Sequence, residues 1–213
     1  MHPTRDHVIA IARKLFAEKG YNSTSVADIL HEANINSGSL YHHFETKQGL
    51  LIAVLESYRD GIEPMLIVPA WAGVEDPIER IFALLARYRE LLVLPDCAYG
   101  CPIGNLALEI HEPDPPVRVL LAENFNRWTG FVEKCVTDAR DRLPADVDTH
   151  ALAQFVLTTM EGGVMLSRTH RTLEAFDNAI RMLRDYFTKL SQCSQTEPLK
   201  TRPKPLPKRK HSR

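Results

Sequence analysis

The stretch that most constrains this chain is residues 26–47, VADILHEANINSGSLYHHFETK. Val26, Ile29, Leu30 and Ala33 fall at i, i+3, i+4 and i+7 and so line one face of a short helix. Asn34-Ile35-Asn36 is too short for anything but a turn. Asn36 suits an N-cap, because its side-chain oxygen can accept from the free amides of the next turn. A second short helix follows from Ser37 to about Phe44, with Leu40 and Phe44 turned inward. Its outer side carries Ser37, Gly38, Ser39, Tyr41, His42 and His43. Two short helices joined by a tight turn describe a helix-turn-helix. Small residues at the start of the second helix permit close approach to a phosphate backbone, and hydroxyl and imidazole groups reach phosphates and base edges. The competing reading is a helical hairpin inside an ordinary bundle. Against it, the outer face has no Leu, Ile or Val to bury, and a merely solvated helix favours Glu, Lys and Ala.

Residues 8–55 resemble the N-terminal domain of TetR-family transcriptional regulators. The resemblance rests on Ala12, Leu15-Phe16, Gly20-Tyr21, Thr24-Ser25-Val26, Ile29, Ala33, the run Ser37 to Phe44, Lys47 and Leu50-Leu51. It covers about a quarter of the chain; elsewhere only the helical layout and phrases such as Gly100-Cys101-Pro102-Ile103 match. It implies an operator-binding homodimer paired through its last two helices, with an effector pocket inside the larger bundle. Carried over position by position, the DNA contacts are Thr24, Ser37, Gly38, Ser39, Tyr41, His42 and Lys47. Family members often carry Lys or Arg where this chain has Ser37. That departure shifts weight onto helix N-terminal amides, Tyr41, His42 and Lys47.

Helical periodicity continues to residue 190 with no convincing strand, so the fold class is all-α: an N-terminal three-helix reader, then a helical bundle that dimerises. Val8, Ile11, Ala12 and Leu15 mark the first helix, which Gly20 ends. Glu45-Thr46-Lys47 opens a connecting helix that Gly61 and Pro64 close, and residues 64–75 read as a loop. Asp76-Pro77-Ile78-Glu79 and Asp114-Pro115 are cap-plus-proline helix starts. Pro95 ends the helix that Asp76 opens. The helix after Asp114 reads as running from 117 to 142, roughly 39 Å at about 1.5 Å per residue. Asp148 caps the next. The expected domains are 1–47 for DNA binding, 48–192 for effector binding and dimerisation, and 193–213 as a disordered basic tail.

Charge supports a local rather than global attraction to DNA. The chain carries −1 overall, and residues 197–213 hold seven Lys or Arg and one acid. That tail is therefore net +6, which leaves −7 for the rest. It reads as either a solvated end or a nonspecific phosphate tether. No apolar run is long enough to span a membrane and no apolar signal region opens the chain, so a cytoplasmic location with no membrane partner is expected.

Large rings recur between the fourth and later helices. Tyr58, Phe82, Tyr88, Phe125, Trp128 and Phe155, with Cys101, Asn105 and Thr159, are the candidates for an effector pocket suited to a small, largely apolar or aromatic ligand. Each aromatic is equally readable as core. Asn124 and Glu161 are further polar candidates. Cys101 precedes Pro102 at a helix start, where the dipole and free amides favour thiolate, and Cys97 lies four residues away. That pair reads either as an electrophile or oxidant sensor or as a small buried hydrophobe. Some TetR-type regulators of aldehyde and quinone detoxification carry a similar cysteine phrase. An enzyme would need a nucleophile with an oriented base; Cys101 and His111 are the local candidates, and ten residues of helix separate them by about 15 Å. No catalytic residue, metal site or cofactor is expected, since no phosphate loop, zincin motif or nucleotide fingerprint appears. Gly162-Gly163 inside a helix each cost about 1 kcal/mol against Ala. Either a close helix approach or a kink beside a cavity offsets that.

Overall fold

A computed structural model describes residues 5–93 and 97–196. The expectations for Pro95 and for residues 197–213 of the tail lie outside the described residues. Every regular element among the described residues is helical. In chain order they are α1 (Arg5–Lys19), α2 (Val26–Ala33), α3 (Ser37–His43), α4 (Lys47–Ile62), a π-helical turn (Glu63–Ile67), α5 (Val68–Trp71), α6 (Pro77–Val93), α7 (Pro102–Glu109), α8 (Pro115–Asp138), a 3₁₀ turn (Arg140–Arg142), α9 (Thr149–His170) and α10 (Glu174–Thr196).

Local chemistry sets the boundaries of the first four helices. Gly20 at φ +86° terminates α1, a left-handed position that costs glycine nothing. Ser25 and Asp28 form a capping box on α2: Ser25 Oγ accepts from the Asp28 amide while the Asp28 carboxylate accepts from the Ser25 amide. Asn34 takes the left-handed conformation at φ 53° and turns the chain. Asn36 Oδ1 accepts from the Ser39 amide at 2.8 Å, and Thr46 Oγ1 from the Gly49 amide at 2.9 Å. Val8, Ala12, Leu15, Ile29, Leu40, Phe44, Leu50 and Leu51 close over one another as the core of this head.

Helix α8 runs through the larger bundle, packed against α4, α6 and α9, and α10 lies on α9 and α6. The buried Asn124 side chain ties α8 to α4 by donating to the Leu55 carbonyl at 3.1 Å and to Leu120 at 2.8 Å. At Gly163 the backbone of α10 comes close: a Cβ there would stand 3.1 Å from Phe176 Cα. The close-approach alternative therefore holds for Gly163, and the contact lies within one chain. Gly162 faces open space.

Four expectations need correction. Residues 64–75 are largely helical, because the chain absorbs Pro64 by widening into the π turn, where the Val68 amide donates to the Glu63 carbonyl. A proline ring clashes with the carbonyl four residues earlier and removes an amide, and a wider turn relieves both. Asp114 precedes α8 but makes no side-chain cap; its carboxylate accepts instead from Gln48 Nε2 at 2.7 Å, joining α8 to α4. The long helix stops at Asp138 and a 3₁₀ turn finishes the stretch. Helix α10 continues through residues 193–196, where the disordered tail was expected to begin. Asp76 and Asp148 do cap as read, through the Glu79 and Ala151 amides.

Candidate nucleic-acid interface and enclosed cavity

The seven residues of α3 split by face. Leu40 and the following Phe44 are buried, whereas Ser37, Gly38, Tyr41, His42 and His43 are exposed and Ser39 is half-buried. Tyr41 is 51% exposed, so burial beside Leu40 does not account for it. The His42 and His43 rings stand edge to face with centroids 5.0 Å apart. This is a polar, ring-bearing ridge with apolar anchors beneath it, the shape a major groove accepts.

Two expected contacts are placed otherwise. Thr24 is 0% exposed. Its hydroxyl donates to the Gly20 carbonyl at 2.7 Å, so it supports the turn after α1 instead of facing outward. Lys47 folds back: its ammonium donates to the Tyr21 carbonyl at 2.5 Å and lies 4.2 Å from the Tyr21 ring centre. Burial holds its pKa below the usual lysine range. The remaining cations of the head are also engaged. Lys14 pairs with Glu32 at 2.7 Å and Lys19 with Asp28 at 3.2 Å, while Arg5 lies over Phe44 and Arg13 over Tyr58. The exposed face of α3 therefore presents mainly neutral donors and acceptors.

Behind the head, helices α1, α4, α6, α8 and α9 and the start of α7 line a partly open cavity of about 280 Å³. Of the expected pocket residues, Tyr58, Tyr88, Cys101, Phe125 and Trp128 line it. Four do not. Phe82 is buried against Phe187 with Arg184 stacked 3.9 Å from its ring centre. Phe155 points outward, 48% exposed, and meets the Tyr186 ring at 5.7 Å. Thr159 lines neither this cavity nor the neighbouring groove. Asn105 lies in that groove between α7 and α9, accepting from Arg168 at 2.8 Å. Periodicity placed these four on helices but left open which face meets which neighbour.

Three charged groups on the cavity wall are Arg13, Arg87 and Glu161. The arginines were not foreseen, although Arg13 sits four after Ile9 and three before Phe16, both buried. A cation on a buried stripe was the available signal. Burial pushes the Glu161 carboxyl above the ordinary range, while its hydrogen bond with Cys101 acts the other way. Cys101 is 8% exposed. Its thiol is pushed far above the usual range by burial first and then by Glu161. The expectation of a thiolate at this helix start is thus overturned: loss of water outweighs the amide that Gly104 donates to Sγ at 3.4 Å. His111 lies past the other end of α7 and is exposed, so the structure does not bring it to Cys101.

Glu161 makes stability depend on pH with a definite sign. The folded state holds its proton more tightly than the unfolded chain, so the group's contribution falls as pH rises above about 4.5 and through the folded pKa. Glu161→Gln should flatten that decline. Urea midpoints of both proteins at mildly acidic and mildly alkaline pH measure it, and parallel profiles would refute the assignment.

One residue that ties the head to the bundle had no sequence signal at all. Glu109, the last residue of α7, accepts from the Tyr21 amide at 2.9 Å and the Asn22 amide at 2.6 Å, and its carbonyl accepts from Asn22 Nδ2 at 3.4 Å. Helix α7 thus starts on the cavity wall at Cys101 and ends holding the loop that enters α2.

Among the described residues, no group of three or more His, Cys, Asp or Glu is placed to hold a metal ion. No helix there is long and apolar enough to cross a membrane.

Comparison with known proteins agrees along the chain. Residues 8–54 match the model for bacterial regulatory proteins of the tetR family, and residues 77–183 the model for the tetracyclin repressor-like C-terminal domain. The HTH-type transcriptional repressor DhaR of Mycobacterium sp. (strain GP1) is 25% identical over 183 residues, 85% of this chain and 90% of that protein. The HTH-type transcriptional regulator Rv0196 of Mycobacterium tuberculosis (strain ATCC 25618 / H37Rv) is 29% identical over 191 residues, covering 87% and 94%. Among solved structures, the regulatory protein TetR from Rhodobacter sphaeroides superposes with a TM-score of 0.76 at 25% identity, over 84% of this chain and 95% of that one. A TetR transcriptional regulator from Chloroflexus aurantiacus gives 0.73 at 28% identity, over 91% and 94%.

Proposed function

The chain belongs to the TetR family of DNA-binding transcriptional regulators, and we propose that it acts in the cytoplasm as a homodimeric repressor, released from its operator by a small, largely apolar or aromatic effector. The observation that carries this reading is the two-faced α3, with Leu40 and Phe44 anchored inside and Tyr41, His42, Ser37 and Gly38 outside. In this reading residues 1–47 read DNA, and residues 48–192 hold the effector and the second protomer. The repressor sense draws on the likeness to DhaR, whose name records that role.

The outer face of α9 and α10 supports pairing. Phe155, Leu166, Met182 and Tyr186 are all exposed there. Exposed apolar side chains on two packed helices favour an interaction surface. A reader with one short helix needs two half-sites about one helical turn apart, near 34 Å, and a twofold mate supplies the second.

Release is a shift between two forms of the dimer. Arg13 of α1 and Tyr58 of α4 stand on the cavity wall together with residues of α6 and α8. A ligand there touches head and body at once, so the two forms differ in how well they hold it. Moving the population from about 1:99 to 99:1 requires roughly a 10⁴-fold difference in affinity between the forms.

The test begins with genome-wide mapping of the DNA that the chain binds. On the operator so defined, Tyr41→Ala should weaken binding about tenfold, the cost of one good base-edge or phosphate contact. Unchanged affinity would remove α3 from the groove.

A further inference from the structure

A polar side chain on the wall of the 280 Å³ cavity has its orientation fixed by the fold. Asn124 of α8 is 7% exposed and lines that space. Its amide nitrogen donates twice, to the Leu55 carbonyl of α4 at 3.1 Å and to the Leu120 carbonyl of its own helix at 2.8 Å. Both amide hydrogens are thereby spent. Turning the amide over would set its oxygen against two carbonyl oxygens. The remaining polar atom, Oδ1, receives no hydrogen bond among the described residues. Nor is it among the unpaired side-chain atoms that the fold seals from solvent. The oxygen therefore reaches open space, and the space that Asn124 lines is the cavity.

Neighbouring polar groups are occupied. Ser57 donates to the Val54 carbonyl at 2.9 Å, Arg13 bonds the Tyr58 hydroxyl, and Glu161 pairs with Cys101. Asn124 Oδ1 is an acceptor that the folded chain leaves unused, and a donor is what completes it. A carboxylate brings only acceptors. An ammonium group would meet the guanidinium groups of Arg13 and Arg87 on the same wall. A neutral O–H or N–H fits. The rings of Tyr58, Tyr88, Phe125 and Trp128 supply the rest of the site. An engineered apolar cavity of about 150 Å³ holds benzene, so a space near twice that size suits a fused bicyclic ring.

We propose that the cavity binds a neutral fused-ring aromatic compound whose O–H or N–H donates to Asn124 Oδ1. This rests on the reading of the cavity as the effector site and adds its ligand chemistry. Asn124 also links that ligand to the head. The amide that accepts from the ligand donates to α4, the helix that follows the reading helix α3. Hydrogen bonds in a chain polarise one another, so a filled Oδ1 strengthens the tie between α8 and α4.

The test is calorimetric titration of the whole protein, without DNA, with 2-naphthol, 2-methoxynaphthalene and 2-naphthoate. The ether keeps the ring and the oxygen and lacks the donor, and the naphthoate puts acceptors in its place. Naphthol should bind at least about tenfold more tightly than either, the discrimination that one hydrogen bond to an otherwise unpaired buried group gives. Asn124→Leu keeps the bulk of the side chain and removes the oxygen. The Leu55 and Leu120 carbonyls keep their partners within their own helices, so the variant should fold. It should weaken naphthol about tenfold and leave the ether within about twofold. Equal affinities for naphthol and its ether, a preference for naphthoate, binding of none of the three, or an unweakened variant would each overturn the proposal. A melting curve establishes whether the variant is folded; if it is not, naphthol against its ether decides. Naphthol that binds as described yet leaves operator binding unchanged would fail the effector reading, while the ligand assignment stands.

Discussion

A protein carrying Phe155→Asp and Tyr186→Asp should sediment as a folded monomer and bind its operator roughly 100-fold more weakly than the parent. The two rings meet edge to face, 5.7 Å apart, and remain 48% and 44% exposed. Within one chain they are half-covered, so aspartate at both positions leaves the bundle core of Val156, Met160, Leu183 and Phe187 intact. In the proposed dimer the same positions would be buried across the twofold axis, and two carboxylates without partners cost several kcal/mol each. The effect on DNA follows from tethering. When two readers are joined, the second half-site binds at an effective concentration set by the dimer, worth about 10²–10⁴ in overall affinity. Sedimentation velocity and operator binding measure the two halves of this expectation. A variant that stays dimeric would move the pairing surface away from α9 and α10. One that is monomeric yet binds its operator as before would remove the need for a mate.

Glu109→Ala should lower unfolding stability by about 3 kcal/mol and loosen the head from the bundle. The carboxylate receives two backbone amides at 2.9 and 2.6 Å, from the loop after α1. Hydrogen bonds to a charged acceptor are worth about 1.5–3 kcal/mol each, and alanine removes both at once. The loop is built around this contact: Gly20 sits at φ +86°, and a Cβ there would stand 2.9 Å from Glu109 Oε1. Lys47 grips the same loop from the other side through the Tyr21 carbonyl. Because α7 spans about 12 Å at about 1.5 Å per residue, it connects the cavity wall at Cys101 directly to the entrance of the reading helices. The alanine protein should therefore also answer its effector weakly, since one of the ties that carries the change is gone. Glu109→Gln, which keeps one accepting oxygen, should recover part of the stability. Denaturant unfolding and effector-induced release of operator DNA give the readouts; a full-strength response at parental stability would dismiss the clasp.

Much of the reading surface was legible because its chemistry is local. Asn36, Ser25, Thr46 and Gly20 act on amides or dihedrals within a few residues of themselves, and each is found in its expected role or as an unforeseen cap of the same type. The i, i+4 spacing of Leu40 and Phe44 sufficed to tell the inner side of α3 from the outer. Thr24 and Lys47 show where such reasoning stops. Both match a family position, yet Thr24 turns inward toward the Leu15 and Gly20 carbonyls at the end of α1, and the Tyr21 carbonyl that Lys47 meets is 26 residues away.

The cavity divides in the same way. Periodicity put Tyr58, Tyr88, Phe125 and Trp128 on inward stripes, and the packed helices leave a space between them. It gave no means to separate them from Phe82, which meets Phe187 105 residues later, or from Phe155, which faces outward. Cys101 was left between two readings, thiolate sensor or small buried hydrophobe, for a related reason. The helix start that favours its thiolate is written in Pro102, whereas Glu161 and the surrounding burial come from another helix, and in low dielectric the second influence is the larger.

What the chain's order of residues determined alone was the set of helices, their caps and the two-sided recognition helix, because those depend on bonds and spacings within about one helical turn. What only the folded arrangement decided was which cations remain available, which rings line the cavity, and that Glu109 holds a loop 87 residues away. These depend on which faces meet and how much water is excluded between them, quantities that arise when helices distant along the chain pack together.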